Sequence, residues 1–128
     1  MDAYVTAFEN ADITALTRLL TADAILEMPP MAAWYAGRED YGRFIARVWA
    51  MRGTDWRMVR VAANGQPAVA AYVGIGSGEY QVHSLQVLTV TRAGIGRNVV
   101  WAEPGVFATF GLSPRLGAAG LDGAPGAR

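Results

Sequence analysis

The sequence predicts an α+β domain: three N-terminal helices packed on a strongly curved, mainly antiparallel sheet that encloses a pocket. Three observations lead to this expectation. Apolar residues recur at spacings of three and four in three stretches of the first 52 positions, as amphipathic helices require. From Thr54 to Glu103 the pattern changes to extended runs separated by turn signals. With 128 residues, 52% of them hydrophobic, the chain suits a single domain with its own core and leaves no room for a second.

Tyr4, Val5, Phe8 and Ala11 share one face of a short helix that ends near Asn10. Asp12 then caps a second helix whose Ile13, Leu16, Leu19 and Leu20 face the same way. From Asp23 to Met28 the chain is extended, and Pro29-Pro30 ends that strand because proline has a fixed φ and no backbone donor. Trp34 and Tyr35 form a small strand in the following loop. After Gly37 comes the clearest helix, with Tyr41, Phe44, Ile45, Val48, Trp49 and Arg52 on one stripe, and Gly53 placed to stop it.

Turn signals around Gly65, Gly74 to Gly78, and Gly94 then separate four long antiparallel strands. Pro104-Gly105 opens a last apolar turn, Val106 to Phe110. The domain is expected to occupy residues 1–112. Residues 113–128, rich in Gly, Ala and Pro, are expected to form a disordered tail.

Composition excludes several classes of function. Eleven arginines, with no lysine, balance eleven acidic residues, so the net charge is zero and the strong attraction to phosphate that nucleic-acid binders use is missing. Direct nucleic-acid binding is therefore not expected. Without cysteine there is neither disulfide nor thiolate-bound metal, and one histidine is too few for a zinc site, so no metal or other cofactor is expected. No apolar run approaches the roughly 18–20 residues that span a bilayer. The first residues carry Asp2 and Glu9 rather than a basic stretch, so no secretory signal is read there and a cytoplasmic address is expected. No glycine-rich phosphate loop or nucleophile elbow is present.

The order of elements, with Asp23-Ala24 entering the first strand and Gly37-Arg38-Glu39 opening the third helix, resembles the SnoaL-like, nuclear transport factor 2-like cone fold. Four segments are similar to a narrower group: Ala24 to Pro30, Trp34 to Glu39, His83 to Thr89, and Phe107 to Pro114. They resemble the C-terminal domain of actinobacterial extracytoplasmic-function RNA polymerase sigma factors. The sigma regions that bind core polymerase and promoter are not in these 128 residues.

The resemblance also implies which positions to test for chemistry. In ketosteroid isomerases of this fold a carboxylate shuttles a proton while two acidic groups hold the developing enolate oxygen. By resemblance Tyr4 stands at the oxyanion tyrosine and Gln86 at the second donor, but the general base is replaced by Met28, whose thioether cannot take a proton. The carboxylate constellation of epoxide hydrolases does not transfer either, since no aspartate lies between Asp55 and Asp122.

Strand alternation puts Gln86 on one face with Tyr80, Val82, Ser84 and Leu88, and His83 on the other. By the same alternation Glu27 points away from Met28, into solvent. Arg43 and Arg47 lie four apart on the third helix, read as a solvated face rather than a phosphate site.

No catalytic residue is assigned. The expected ligand-binding pocket is apolar and aromatic: Tyr4, Phe8, Met28, Trp34, Phe44, Val48, Trp49, Val82, Gln86, Leu88 and Trp101. The competing account of the same residues is a filled core.

The leading functional expectation is a non-catalytic regulatory or small-molecule-sensing domain that modulates transcription initiation. Its expected partners are a hydrophobic small molecule, sigma-factor regions or RNA polymerase, or a second copy in a homodimer, with no membrane partner. The alternative is a stand-alone isomerase, cyclase or epoxide hydrolase acting on a hydrophobic small molecule.

Overall fold

In the computed structural model, which describes residues 2–29, 33–63 and 65–117, Asp12 does cap a helix. Its backbone is extended, and its carboxylate accepts the Ala15 N–H at 3.1 Å, satisfying one of the donors a helix start leaves free. It separates α1 (Asp2–Glu9) from α2 (Ile13–Arg18). The turn between them is tight enough to place Ala11, a residue with a Cβ, at a φ of 52°. Next come β1 (Leu20–Met28), β2 (Ala33–Ala36) and α3 (Arg38–Arg52). Gly53 follows α3 with a φ of +96°, and its N–H closes the last turn on Trp49 O at 2.8 Å. Tyr41, Ile45 and Trp49 form the buried stripe of α3, one every fourth residue.

The remaining elements are β3 (Trp56–Ala63), β4 (Gln66–Gly74), β5 (Tyr80–Thr91), β6 (Gly94–Trp101), α4 (Pro104–Thr109) and β7 (Arg115–Leu116). The sheet order is β2-β1-β6-β5-β4-β3, with β1 parallel to β6 and every other pairing antiparallel. Gly94 is required where β6 begins beside α2: its φ is +131°, and a Cβ there would come within 2.5 Å of Leu19 O. The same carbonyl accepts the Ile95 N–H at 2.8 Å, which joins the helical layer to the sheet.

The three helices cover the inner face of this sheet and build the main core from Tyr4, Phe8, Leu16, Leu26, Tyr41, Trp49, Trp56 and Leu88. The outer face is covered in part. Phe107 of α4, with Val106 and Phe110, packs on Ala68, Leu85 and Trp101, while Leu112 and Leu116 close over Tyr72 and Tyr80.

The structure therefore corrects the expected boundary at residue 112. Arg115–Leu116 pairs with β5, Tyr80 opposite Leu116, along the edge that β6 has left. Pro114 O accepts the Val82 N–H at 2.9 Å, and Ser113 O accepts the Tyr72 hydroxyl at 2.7 Å. The rest of the expected tail, 118–128, lies outside the described residues.

A second correction concerns β5. Ala71 lies opposite Ser84 and Tyr72 opposite Val82, so one extra residue is accommodated at His83. Such a β-bulge breaks strict alternation. Val82 and Leu85 both pack on the outer face, and His83 is turned inward, its ring edge-on to Trp56 at 5.1 Å.

Candidate functional site

Four polar side chains meet under α1 inside the cone. Tyr4 comes from the buried stripe of α1, Tyr41 from the first turn of α3, Gln86 from β5 and Asn98 from β6, and none is more than 3% exposed. Gln86 alternates with outward Leu85 and Val87. Asn98 lies opposite Leu88, between Arg97 and Val99, which the alternation turns outward.

The Tyr4 hydroxyl donates to Gln86 Oε1 at 2.7 Å. Asn98 Nδ2 donates to the Tyr41 hydroxyl at 2.8 Å and to Gln86 Oε1 at 3.0 Å, and the two hydroxyl oxygens are 3.3 Å apart. This arrangement uses both Asn98 amide hydrogens and both lone pairs of Gln86 Oε1, and leaves the Tyr41 proton for the Tyr4 oxygen. The result is a hydrogen-bond chain from Tyr41 through Tyr4 to Gln86, clamped by Asn98, in which each bond polarises the next.

Burial pushes the Tyr4 hydroxyl well above the ordinary tyrosine range, and the Tyr41 charge it would face pushes it further. Burial likewise raises Tyr41 to about 12, against its contacts with the Tyr4 hydroxyl and the Asn98 amide, which favour the ionised form. Both hydroxyls keep their protons at neutral pH and act as donors. Asn98 Oδ1 and Trp49 Nε1 are buried without a partner among the described residues. Asn98, Tyr41 and Leu88 have zero exposure, so no water-sized void touches them. Two shallow surface depressions, one along α4 from Glu103 to Phe110 and one at Ala22 and Ala36–Asp40, do not reach the cluster.

Of the expected pocket residues, Tyr4, Phe8, Trp49 and Leu88 are buried in the inner core, and Gln86 joins the polar cluster. Met28, Phe44 and Val48 are half-buried against that core. The other three do not line the interior. Trp34 is 67% exposed, because Tyr35 takes the inward position on β2. Val82 is moved outward by the bulge. Trp101 packs on the outer face because its neighbour Val100 points in.

Tyr41 and Asn98 are the members of the cluster that sequence reasoning missed. The signal for Asn98 is a lone amide at an inward strand position, where an apolar residue is the rule.

The other titratable candidates are also placed. Glu27, expected in solvent, is held on the outer face by Arg97, whose Nε donates to Glu27 Oε1 at 2.7 Å. His83 is half-buried beside Ser84, with 3.2 Å between Nδ1 and Oγ. Burial first, and the nearby Arg52 charge second, lower its pKa to about 4. Among the described residues no group of three His, Asp or Glu side chains converges as metal ligands, and no helix is long and apolar enough to cross a membrane.

Helices over a curved sheet, with the β1 Met28–Pro29 turn and an inward glutamine on β5, match a known family. The model of the SnoaL-like domain covers residues 1–101. The chain belongs to the SnoaL-like domain family. This SnoaL-like domain is 37% identical over 117 residues to the ECF RNA polymerase sigma factor SigG of Mycobacterium tuberculosis, covering 88% of this chain and 30% of that protein. The chain thus spans under a third of the length of the curated relative it matches.

A protein with a ketosteroid isomerase-like fold from Catenulispora acidiphila, solved with trimethylamine, is 19% identical with a TM-score of 0.58, covering 97% of this chain and 95% of that one. A de novo designed protein with a curved β-sheet is 15% identical with a TM-score of 0.64, covering 86% of this chain and 87% of that one. At these identities the structural likeness establishes the nuclear transport factor 2-like fold.

Proposed function

We propose that this SnoaL-like domain is a non-catalytic regulatory domain that modulates transcription initiation through contacts with sigma-factor regions or RNA polymerase. The observation that carries the reading is the closed polar cluster. With Met28 where the isomerases hold a carboxylate, and with Tyr4, Tyr41, Gln86 and Asn98 bonded to one another, the cluster provides packing and no carboxylate base for proton transfer. A hydrophobic small molecule bound between Tyr4 and Gln86 has first to part them, which moves α1 relative to β5. The similarity to SigG supplies the transcriptional context. The experiment is promoter-dependent run-off transcription with the gene product that carries this chain, intact and with residues 2–117 deleted. A severalfold change in transcript yield is expected, and equal yields overturn the reading.

One observation favours the enzymatic alternative, an isomerase, cyclase or hydrolase acting on a hydrophobic substrate: the bulge turns His83 inward beside Ser84. Its test is the conversion of a β,γ-unsaturated ketosteroid to the conjugated enone, followed by absorbance. Turnover that disappears in His83→Gln would establish it.

A further inference from the structure

The two edges of the sheet are finished differently. At the β3 edge, α1 stands guard: the Glu9 carboxylate accepts the Met58 N–H at 2.8 Å, and Asp2 pairs with Arg60. Charged groups of this kind keep a foreign strand from pairing. At the opposite edge β2 pairs only with β1 among the described residues. Antiparallel pairing engages the backbone groups of alternate residues, so two of the four residues of β2 present N–H and C=O outward. Among the described residues no carboxylate guards them. Trp34, 67% exposed, stands there instead.

The side of β2 that faces α3 has its own chemistry. Tyr35 stacks on Phe44 with ring centroids 4.6 Å apart, and the Arg47 guanidinium lies 5.8 Å and 6.0 Å from those two rings. Arg43, one turn earlier, is paired with Glu39 and Asp40, whereas no carboxylate lies within 4.0 Å of Arg47 among the described residues. Met51, one turn later, is 74% exposed. An arginine seated on aromatic rings and free of a carboxylate partner is prepared for an anion.

We propose that the β2 edge is a docking strand for an extended acidic segment of another protein. A strand added outside β2 takes its main-chain hydrogen bonds from the open edge and alternates its side chains between the two faces. Side chains on the α3 side meet Tyr35 and Arg47 and are acidic. Those on the other side meet the Trp34 indole and are apolar. The matching sequence therefore alternates acidic and apolar residues. A second copy of this edge fits poorly, since it would bring Arg47 to Arg47 with no carboxylate between them. The inference goes beyond the proposed regulatory role and does not depend on it, because the edge and its chemistry are the same whatever the interior does.

The experiment uses the purified chain and a fluorescein-labelled peptide of three Val-Glu repeats, followed by fluorescence anisotropy, with three Val-Lys repeats as control. The Val-Glu peptide is expected to bind and the Val-Lys peptide not to, with binding weakened by added salt. Arg47→Glu is expected to lower affinity for the Val-Glu peptide about tenfold and to confer binding of the Val-Lys peptide. Trp34→Ser is expected to weaken the Val-Glu peptide severalfold without changing the charge preference. Both side chains are exposed, so both variants retain the wild-type far-ultraviolet circular dichroism. Equal binding of the two peptides, no binding of the Val-Glu peptide, or full affinity in both variants would overturn the proposal. So would sedimentation showing a wild-type dimer that Trp34→Ser abolishes, since a second copy would then own the edge.

Discussion

Asn98 is a single amide that holds a tyrosine from α3 and a glutamine from β5 in one place, and its neighbours have no water to fall back on. Replacing it by alanine removes two hydrogen bonds, leaves Gln86 Oε1 and the Tyr41 oxygen short of a donor and opens a small void. Together these cost about 3 kcal/mol. Urea unfolding of Asn98→Ala measures it; a loss below about 1 kcal/mol would mean the cluster is not fixed in this arrangement.

Alkali tests the tyrosines in the same site. An unfolded tyrosine releases its proton near 10, whereas folded Tyr41 holds it to about 12. Between those values the unfolded chain binds fewer protons, so stability is intact below pH 10 and falls as pH rises toward 12. Tyr41→Phe is expected to flatten that decline, leaving the parts that belong to Tyr4, Tyr72 and Tyr80; an unchanged slope would place the Tyr41 hydroxyl in water. The family resemblance marks Tyr4 and Gln86 in advance. Tyr41 and Asn98 escape it because the role of a polar side chain in a buried stripe is fixed only by its partners on three other elements.

Among the elements, the bulge in β5 decides which side chains reach the interior. Helix α3 is legible because six residues repeat one period over several turns, and Asp12 because a capping side chain acts within three residues of itself. The bulge is not, since counting by twos presumes one residue per step on both strands, and the extra residue is defined only by the pairing of β5 with Ala71 and Tyr72 on β4. Its consequence is measurable. His83, inward and partly desolvated, has its pKa lowered from 6.5 to about 4. The unfolded chain takes up this proton first on acidification, so the folded state is fully stable above 6.5 and loses stability as pH falls from 6.5 toward 4. Thermal melts of wild type and His83→Gln across that window should differ in slope, with the wild type losing more stability as pH falls. Parallel curves would return His83 to the solvent side and remove the bulge from any account of the interior.

For the molecule as a whole, the same fold recurs in a designed protein at 15% identity, and one architecture hosts many functions, so the fold alone assigns none here. What distinguishes this chain is how the outer face is closed. Ala68, Ala70 and Leu85 have 2% exposure or less on a face that none of α1, α2 and α3 touches. They are covered by Phe107 of α4, by Leu112 and by Leu116 of a two-residue strand. So short a strand has no period to detect, and the two residues it pairs with, Tyr80 and Gln81, lie more than thirty positions away. Composition reads this segment as a tail for that reason.

If it is instead a strap that the fold requires, cutting the chain after Glu103 uncovers a contiguous apolar face on β4, β5 and β6. The expected outcome is a lower urea midpoint together with concentration-dependent self-association in sedimentation velocity, because an exposed apolar sheet face seeks another. A narrower variant, Phe107→Ala, keeps β7 and is expected to lower stability by about 3 kcal/mol without self-association. Should the truncated chain keep both its midpoint and its sedimentation coefficient per unit mass, α4 and β7 would be passengers on a face that is stable bare, and the domain would end near Trp101.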